Sequence, residues 1–501
     1  MDLGIDIGTS EVKVVLVDDA QRVVGQARSA VPISRPQPQW SEQDPQDWWR
    51  ATIAALAELR AQQPAEFAAV RGLGLSGHMH GATLLDAHDR VLRPAILWND
   101  GRSHVQCAEL ERRELRSRAI TGNIAMPGFT APKLMWVEEH EPELFRQVAR
   151  VLLPKDYVRL LLTGEAVSEM SDSAGTLWLD VARRDWSDAM LVATHLTRAQ
   201  MPRLVEGSEA GGTLRPAIAA QLGLPPGVIV AGGAGDNAAS AAGIGVVEPG
   251  RAFLSLGTSG VYFVANAAFS PNPARAVHAF CHAFPATWHQ MTVMLSAASA
   301  LRWLRDATHA GSEAELVAEA QALPDGASVP MFLPYLSGER TPHNDPHASG
   351  VFFGLTHDHG RGHLAQAVLE GVAFAFLDGQ QALQGGGAQI DSITLVGGGS
   401  RSIAWAQLLA DTLGRTLDRR SGADVGAALG AARLARLART DETIEAVCSA
   451  PPLIDSFVPN PRRGEQLAAR HAQFQRLYAA LATEMQAARA PTDLQAGRAP
   501  R

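Results

Sequence analysis

The sequence predicts an α/β protein built from two related domains with a cleft between them. Three observations carry that prediction. Apolar strand patterns alternate with helical ones along most of the chain. One strand–turn–strand unit occurs twice, half the chain apart, as Leu3-Gly4-Ile5-Asp6-Ile7-Gly8-Thr9-Ser10 and as Phe253-Leu254-Ser255-Leu256-Gly257-Thr258-Ser259-Gly260. The 501 residues are also too many for a single core. Each Gly-Thr-Ser turn offers backbone N–H groups and small hydroxyls to an anion, with no bulky side chain in the way. Two such turns suggest two domains gripping one polyphosphate.

The elements follow in order. Strands are read at 2–7 and 12–17, around the first turn, and at 22–31. A helix is read at 45–62, where Asp44 can cap and Pro45 suits the first turn. Its Trp48 and Trp49 are read as core. Strands at 70–76, 82–86 and 93–98 and helices at 103–115, 130–139 and 154–162 come next. A strand at 227–232 runs into Gly232-Gly233-Ala234-Gly235-Asp236-Asn237 and a small-residue helix at 236–243. The turn residues Glu248-Pro249-Gly250 place a boundary between domains 1–247 and 248–440. The second domain carries strands at 252–257, 260–265, 290–294, 330–333 and 393–397, and helices at 296–310, 313–322, 361–384, 401–413 and 422–438. Residues 441–501 are expected to form a helix near 464–488 and a frayed tail.

Composition excludes several functions. The net charge is −8 and no basic stripe appears, which argues against nucleic acid as a partner. Cys107, Cys281 and Cys448 are odd in number and scattered, so neither a disulfide framework nor a metal pattern is read. No apolar run reaches the roughly 18 residues that span a bilayer, and no leader is read at the N-terminus. A cytoplasmic enzyme with no membrane partner is expected.

Several residues are candidates for chemistry. Asp6 sits in an apolar strand two residues before the first turn, where a buried carboxylate needs a hydrogen bond or a metal. Asp236 follows a glycine run at a helix start, and its residues alone allow either a helix cap or a base. Gly397, Gly398 and Gly399 precede a helix, as a packing turn or as a seat for a flat ligand. Lys13 is read as a solvated strand residue, and Glu11 as pointing away from any phosphate. Gly422-Ala423-Asp424-Val425-Gly426-Ala427-Ala428 is read as a close-packed helix start.

This set of turns resembles the FGGY carbohydrate kinases, of the actin and hexokinase superfamily. The first family signature is matched by Gly128-Phe129-Thr130-Ala131-Pro132-Lys133-Leu134-Met135-Trp136-Val137-Glu138-Glu139-His140. The second runs from Gly350 through Gly354-Leu355 to His363-Leu364-Ala365-Gln366-Ala367-Val368-Leu369-Glu370-Gly371. Met79-His80-Gly81-Ala82-Thr83, Trp98-Asn99-Asp100-Gly101-Arg102 and Leu333 to Pro342 match the xylulose-phosphorylating branch. The resemblance implies two ribonuclease H-like domains, with ATP and Mg²⁺ as cofactors and phosphate transfer to O5 of D-xylulose. It implies Asp236 as general base and Asp6 as the Mg²⁺-positioning carboxylate. It places Gly8, Thr9, Ser10, Gly257, Thr258 and Ser259 on phosphates, and Gly397, Gly398 and Gly399 on adenosine. Met79, His80, Trp98, Asn99 and Asp100 would hold the sugar together with Asp236. His78 stands where the family usually has Gln. By the same analogy the protein is a homodimer. Kinases for other pentuloses or pentitols (ribulose, L-xylulose, arabinitol) and a non-catalytic sugar sensor are the alternative readings.

Overall fold

The repeated strand–turn–strand unit seeds two sheets of the same topology in the computed structural model, which describes residues 1–324, 326–422 and 426–489. In the N-terminal half, β1 (Asp2–Ile7), β2 (Glu11–Val17) and β3 (Val23–Ala30) run antiparallel to their neighbours. After helix α1 (Pro45–Gln62), β4 (Gly72–Gly77) joins β1 in parallel. Helix α2 (Pro154–Thr163) precedes β5 (Ala210–Thr213), β6 (Ile229–Ala231) and the short β7 (Ala234–Gly235). The sheet order is β3-β2-β1-β4-β6-β5, with β7 also on β4. Helix α3 (Asp236–Ile244) leads to the second half.

There β8 (Arg251–Leu256), β9 (Gly260–Asn266), β10 (His278–Cys281) and β11 (Trp288–Met294) form the antiparallel part. Helix α4 (Arg361–Gly385) is followed by β12 (Ser392–Val396), which pairs in parallel with β8. After helix α5 (Ile403–Leu413), β13 (Leu417–Arg420) extends the parallel set. Helix α6 (Gly426–Leu437), β14 (Leu453–Phe457) and helix α7 (Pro461–Arg489) complete the order β10-β11-β9-β8-β12-β13-β14. In both halves the first two strands form a hairpin around Gly-Thr-Ser, and later strands add in parallel to the first. That matches the ribonuclease H-like expectation.

Most helices lie within a few residues of their expected bounds. Asp44 caps α1 by accepting the Gln46 N–H, and Trp48 is fully buried core. Strands β5, β7, β10, β13 and β14 were not expected. Segment 441–489 is thus more than a helix, because β14 forms the sheet edge before α7 begins. The expected tail beyond 489 and residues 423–425 of the expected close-packed helix start lie outside the described residues.

Helix α6 belongs to the second half by sequence but lies on β1 and β4 of the first sheet and along α3. Small residues permit that approach. A Cβ on Gly4 would overlap the Ala428 carbonyl, and a Cβ on Gly430 would overlap the Ala239 carbonyl. Both obstacles are backbone atoms that cannot turn aside. Gly430→Ala is therefore expected to cost about 1–3 kcal/mol by overpacking, read as a lower thermal unfolding midpoint. An unchanged midpoint would mean that α6 shifts freely.

Candidate active site

Two cavities meet at the second Gly-Thr-Ser turn. Ser259 lines one, of about 270 Å³, and Gly257 and Thr258 line the other, of about 760 Å³. The first also contains Asp236, Asn237, Met79, His80 and Trp98. The second contains Gly398, Gly399, Arg302, Arg401 and Trp405. One turn therefore faces both spaces, as a phosphate bridge between an acceptor and a nucleotide requires.

Strand ends position Asp236, which lines the smaller cavity, and Asp6, which does not line it. Asp6 at the end of β1 is in register with Ser76 of β4, which pairs in turn with Ala234. Asp236 follows immediately as the first residue of α3, whose cap is Gly235. Open α/β sheets present ligands at such carboxyl ends. Asp236 is not a cap. Its Oδ1 accepts the N–H of Asn237 (2.7 Å) and the Asn237 side-chain amide (2.9 Å). Its Oδ2 takes no hydrogen bond from the described residues. Burial, and next the Asp6 charge, push the Asp236 pKa up to about 7. Burial also raises Asp6, against the Ser76 hydroxyl (3.1 Å) and the Lys13 charge that favour its ionised form. Lys13 faces Asp6 across the hairpin rather than standing on a solvated face. Glu11 lies 3.6 Å from Arg28 in an ion pair.

His80 lines the same cavity. Its backbone sits at φ 72°, which non-glycine residues rarely adopt. Lys133, fully buried, anchors it by donating to the His80 and Gly128 carbonyls (2.9 and 2.7 Å). Thr130 also donates to the His80 carbonyl. Burial, then the Lys133 charge, lower the His80 pKa to about 3, so the ring is neutral. Its Nδ1 lies 2.7 Å from the Gly175 carbonyl and must donate there, which leaves Nε2 as an acceptor. Trp98, 40% exposed, donates its indole N–H to the Thr9 hydroxyl (3.0 Å) and so ties the cavity to the first turn.

The remaining candidates, and His78, lie outside the two cavities. Asn99 is exposed and Asp100 is buried, and neither lines the cavity. Asp100 accepts from the Arg102 guanidinium at 2.7 and 2.9 Å and from the Ser41 N–H, so its oxygens are already occupied. His78 is also outside the cavity, packed edge-on against Trp48, with both ring nitrogens unpaired among the described residues. Gly8 closes its turn onto the Glu11 carbonyl (3.0 Å), and Ser10 is exposed beside it. Gly397 backs the larger cavity instead of lining it. A Cβ there would press on the Leu256 backbone behind the second turn.

Comparison with known proteins fixes the family. The FGGY N-terminal domain model matches residues 1–243 and the FGGY C-terminal domain model matches residues 252–439. The chain belongs to the FGGY family of carbohydrate kinases. It is 54% identical over 479 residues to the xylulose kinase of Escherichia coli K12, covering 95% of this chain and 98% of that one. A solved xylulose kinase from Brucella ovis superposes with a TM-score of 0.94 at 53% identity, covering 96% and 99% of the two chains. One from Rhodospirillum rubrum gives 0.91 at 33% identity, covering 97% and 99%.

An FGGY kinase uses ATP, and the larger cavity has the glycine-lined form that a nucleotide needs. Among the described residues no helix is long and apolar enough to cross a membrane. All three cysteines are free and buried. Several cavity residues escaped assignment from sequence: Asn237, Met126, Phe129, His278 and Arg340. Phe129 and Arg340 lay within matched motifs without a role. His278 had no local signal, because only strand pairing brings β10 to the cavity.

Proposed function

We propose that this FGGY kinase transfers the γ-phosphate of Mg·ATP to O5 of D-xylulose in the cytoplasm. One observation carries the reading: the Thr258-Ser259 turn faces both the cavity holding Asp236 and the glycine-lined cavity beside it. The sugar assignment rests on the identity to xylulose kinases and on Met79 and His80 lining the smaller cavity.

Asp236 Oδ2 accepts the O5 proton as O5 bonds to phosphorus and the bond to the ADP oxygen breaks. His80 Nε2 accepts from a sugar hydroxyl, and Met79 and Trp98 supply apolar wall. Thr9 and Ser10 would meet the phosphates from the first half, with Gly8 closing their turn; Gly257, Thr258 and Ser259 would do so from the second. Gly397, Gly398 and Gly399 shape the adenosine seat. The donor set fits Mg²⁺. Two carboxylates, Asp236 in the cavity and Asp6 near enough for its charge to raise Asp236, take few hydrogen bonds, and Mg²⁺ takes one or two carboxylates plus phosphates and waters. Asp6 would hold it, directly or through water, and it would neutralise phosphate charge.

The test is ADP release with Mg·ATP across D-xylulose, L-xylulose, D-ribulose, xylitol and a no-sugar control. Turnover is expected to be greatest with D-xylulose. Preference for another polyol would reassign the sugar alone. Absence of sugar-dependent turnover would overturn the kinase mechanism.

A further inference from the structure

We propose that Arg340 is a substrate-binding residue of the second half, contacting the keto oxygen at the C1–C2 end of the sugar. The inference rests on D-xylulose as substrate. Arg340 lines the same cavity as Asp236 and makes no ion pair with any described residue. Glu339, its neighbour in sequence, spends Oε1 on the Leu295 and Arg340 backbone N–H groups (3.0 and 2.7 Å). Among the described residues the guanidinium makes one hydrogen bond, Nη1 at 3.5 Å from His278 Nε2. His278 Nδ1 lies 3.2 Å from Asn123 Oδ1 and donates to it, so Nε2 is an acceptor toward Arg340. Asn123 is held in turn by the Thr121 and Ala279 carbonyls (2.7 and 3.0 Å). This chain of contacts orients a guanidinium whose remaining N–H groups have no acceptor among the described residues.

Asp236 lies near the Asp6 charge, which adds to burial in raising its pKa. Arg340 instead neighbours His278, whose ring stacks on Phe280 and packs edge-on against Phe129, as the His80 ring also does. The cavity thus places Asp236 and Arg340 among different neighbours. If O5 meets Asp236, the C1–C2 end of an extended pentulose meets His80 and Arg340. A guanidinium only donates, and a keto oxygen only accepts, so the two are complementary. A hydroxyl at C2, as in xylitol, brings a proton that Arg340 cannot accept. The buried donor is then unpaired unless another group serves it.

The test measures steady-state kinetics of the full chain and of Arg340→Met and Arg340→Lys, with D-xylulose and xylitol, together with thermal unfolding. Wild-type turnover of D-xylulose checks the underlying reading on its own. Given that turnover, Arg340→Met is expected to raise the D-xylulose KM at least tenfold. The KM for ATP should stay within twofold, and the preference for D-xylulose over xylitol should fall at least fivefold. Arg340→Lys, which keeps the charge and the stem, should fall between and serves if the Met variant does not fold. A D-xylulose KM and preference within twofold of wild type in either folded variant would overturn the proposal. So would a rise in the ATP KM matching that for sugar.

Discussion

Asp236→Asn is expected to lower kcat by about 10³-fold or more while the D-xylulose dissociation constant changes only a few-fold. A positioned base contributes roughly 10²–10⁴-fold to a proton transfer. Asparagine keeps the shape and the hydrogen bond from Asn237, and loses the ability to take a proton. Equal losses of turnover and sugar affinity would make Asp236 a structural residue instead. The pH profile gives a second reading of the same group. Its pKa in the free protein is raised to about 7 by burial and by Asp6. A base works ionised, so kcat/KM should fall about tenfold per pH unit below 7. Bound Mg²⁺ adds positive charge and favours the carboxylate, so the corresponding limb of kcat should lie at lower pH. A flat kcat/KM between pH 5.5 and 8 would remove Asp236 from the role. Stability runs the other way. A folded pKa above the unfolded one means that the group's contribution is complete below pH 4 and lost as pH rises through 7. Asparagine has no such loss, so the inactive variant should be at least as stable as wild type at pH 8.

Lys155→Met should be the most destabilising single change in the N-terminal half. Lys155 Nζ lies 2.7 Å from Asp156, 3.0 Å from Asp172 and 3.4 Å from Glu169, with all four side chains fully buried. Burial works against the lysine charge, but the three carboxylates outweigh it and hold its pKa above the usual value. Removing one partner of a buried ion group leaves uncompensated charge and costs about 3–5 kcal/mol. Here one lysine serves three carboxylates. Burial already raises the pKa values of Glu169 and Asp172, and without Lys155 they rise further. Raised carboxylate pKa values mean that stability is lost as pH rises above about 4. The deficit of the variant should therefore be larger at pH 8 than at pH 5, and an equal deficit at both would refute the charge argument. The cluster also reaches the active site. Glu169 accepts the Ser171 hydroxyl (2.8 Å), and Ser171 Oγ accepts the N–H of Gly235, the residue before Asp236 (3.1 Å). A folded Lys155 variant should consequently lose kcat as well.

Much of the fold was legible because its signals are local. The hairpin around Gly8-Thr9-Ser10, the Asp44–Pro45 helix start and the small-residue helix after Asp236 each follow from neighbours in sequence. Strands β13 and β14 were not legible. Leu417-Asp418-Arg419-Arg420 is a polar run with little strand propensity, and it is extended because Leu395 and Phe457 lie on either side of it. Asp100 illustrates the same limit in the site. It stands two residues from Trp98, which does line the cavity, but Arg102 folds back over Trp40 (3.6 Å to the ring centre) and claims its carboxylate.

The sequence by itself determined the two-fold plan, the Gly-Thr-Ser turns and the acid at residue 236, since each rests on residue types at short spacing. Only the tertiary structure decided which candidates share a cavity. It brought His278 and Arg340 from the second half to line one cavity with Met79 and His80 from the first, and it left Asn99 and Asp100 outside that cavity. The physical reason is that burial, charge and hydrogen-bond satisfaction belong to neighbours in space. Strand pairing and the packing of α6 on β1 and β4 set those neighbours across more than 200 residues of chain.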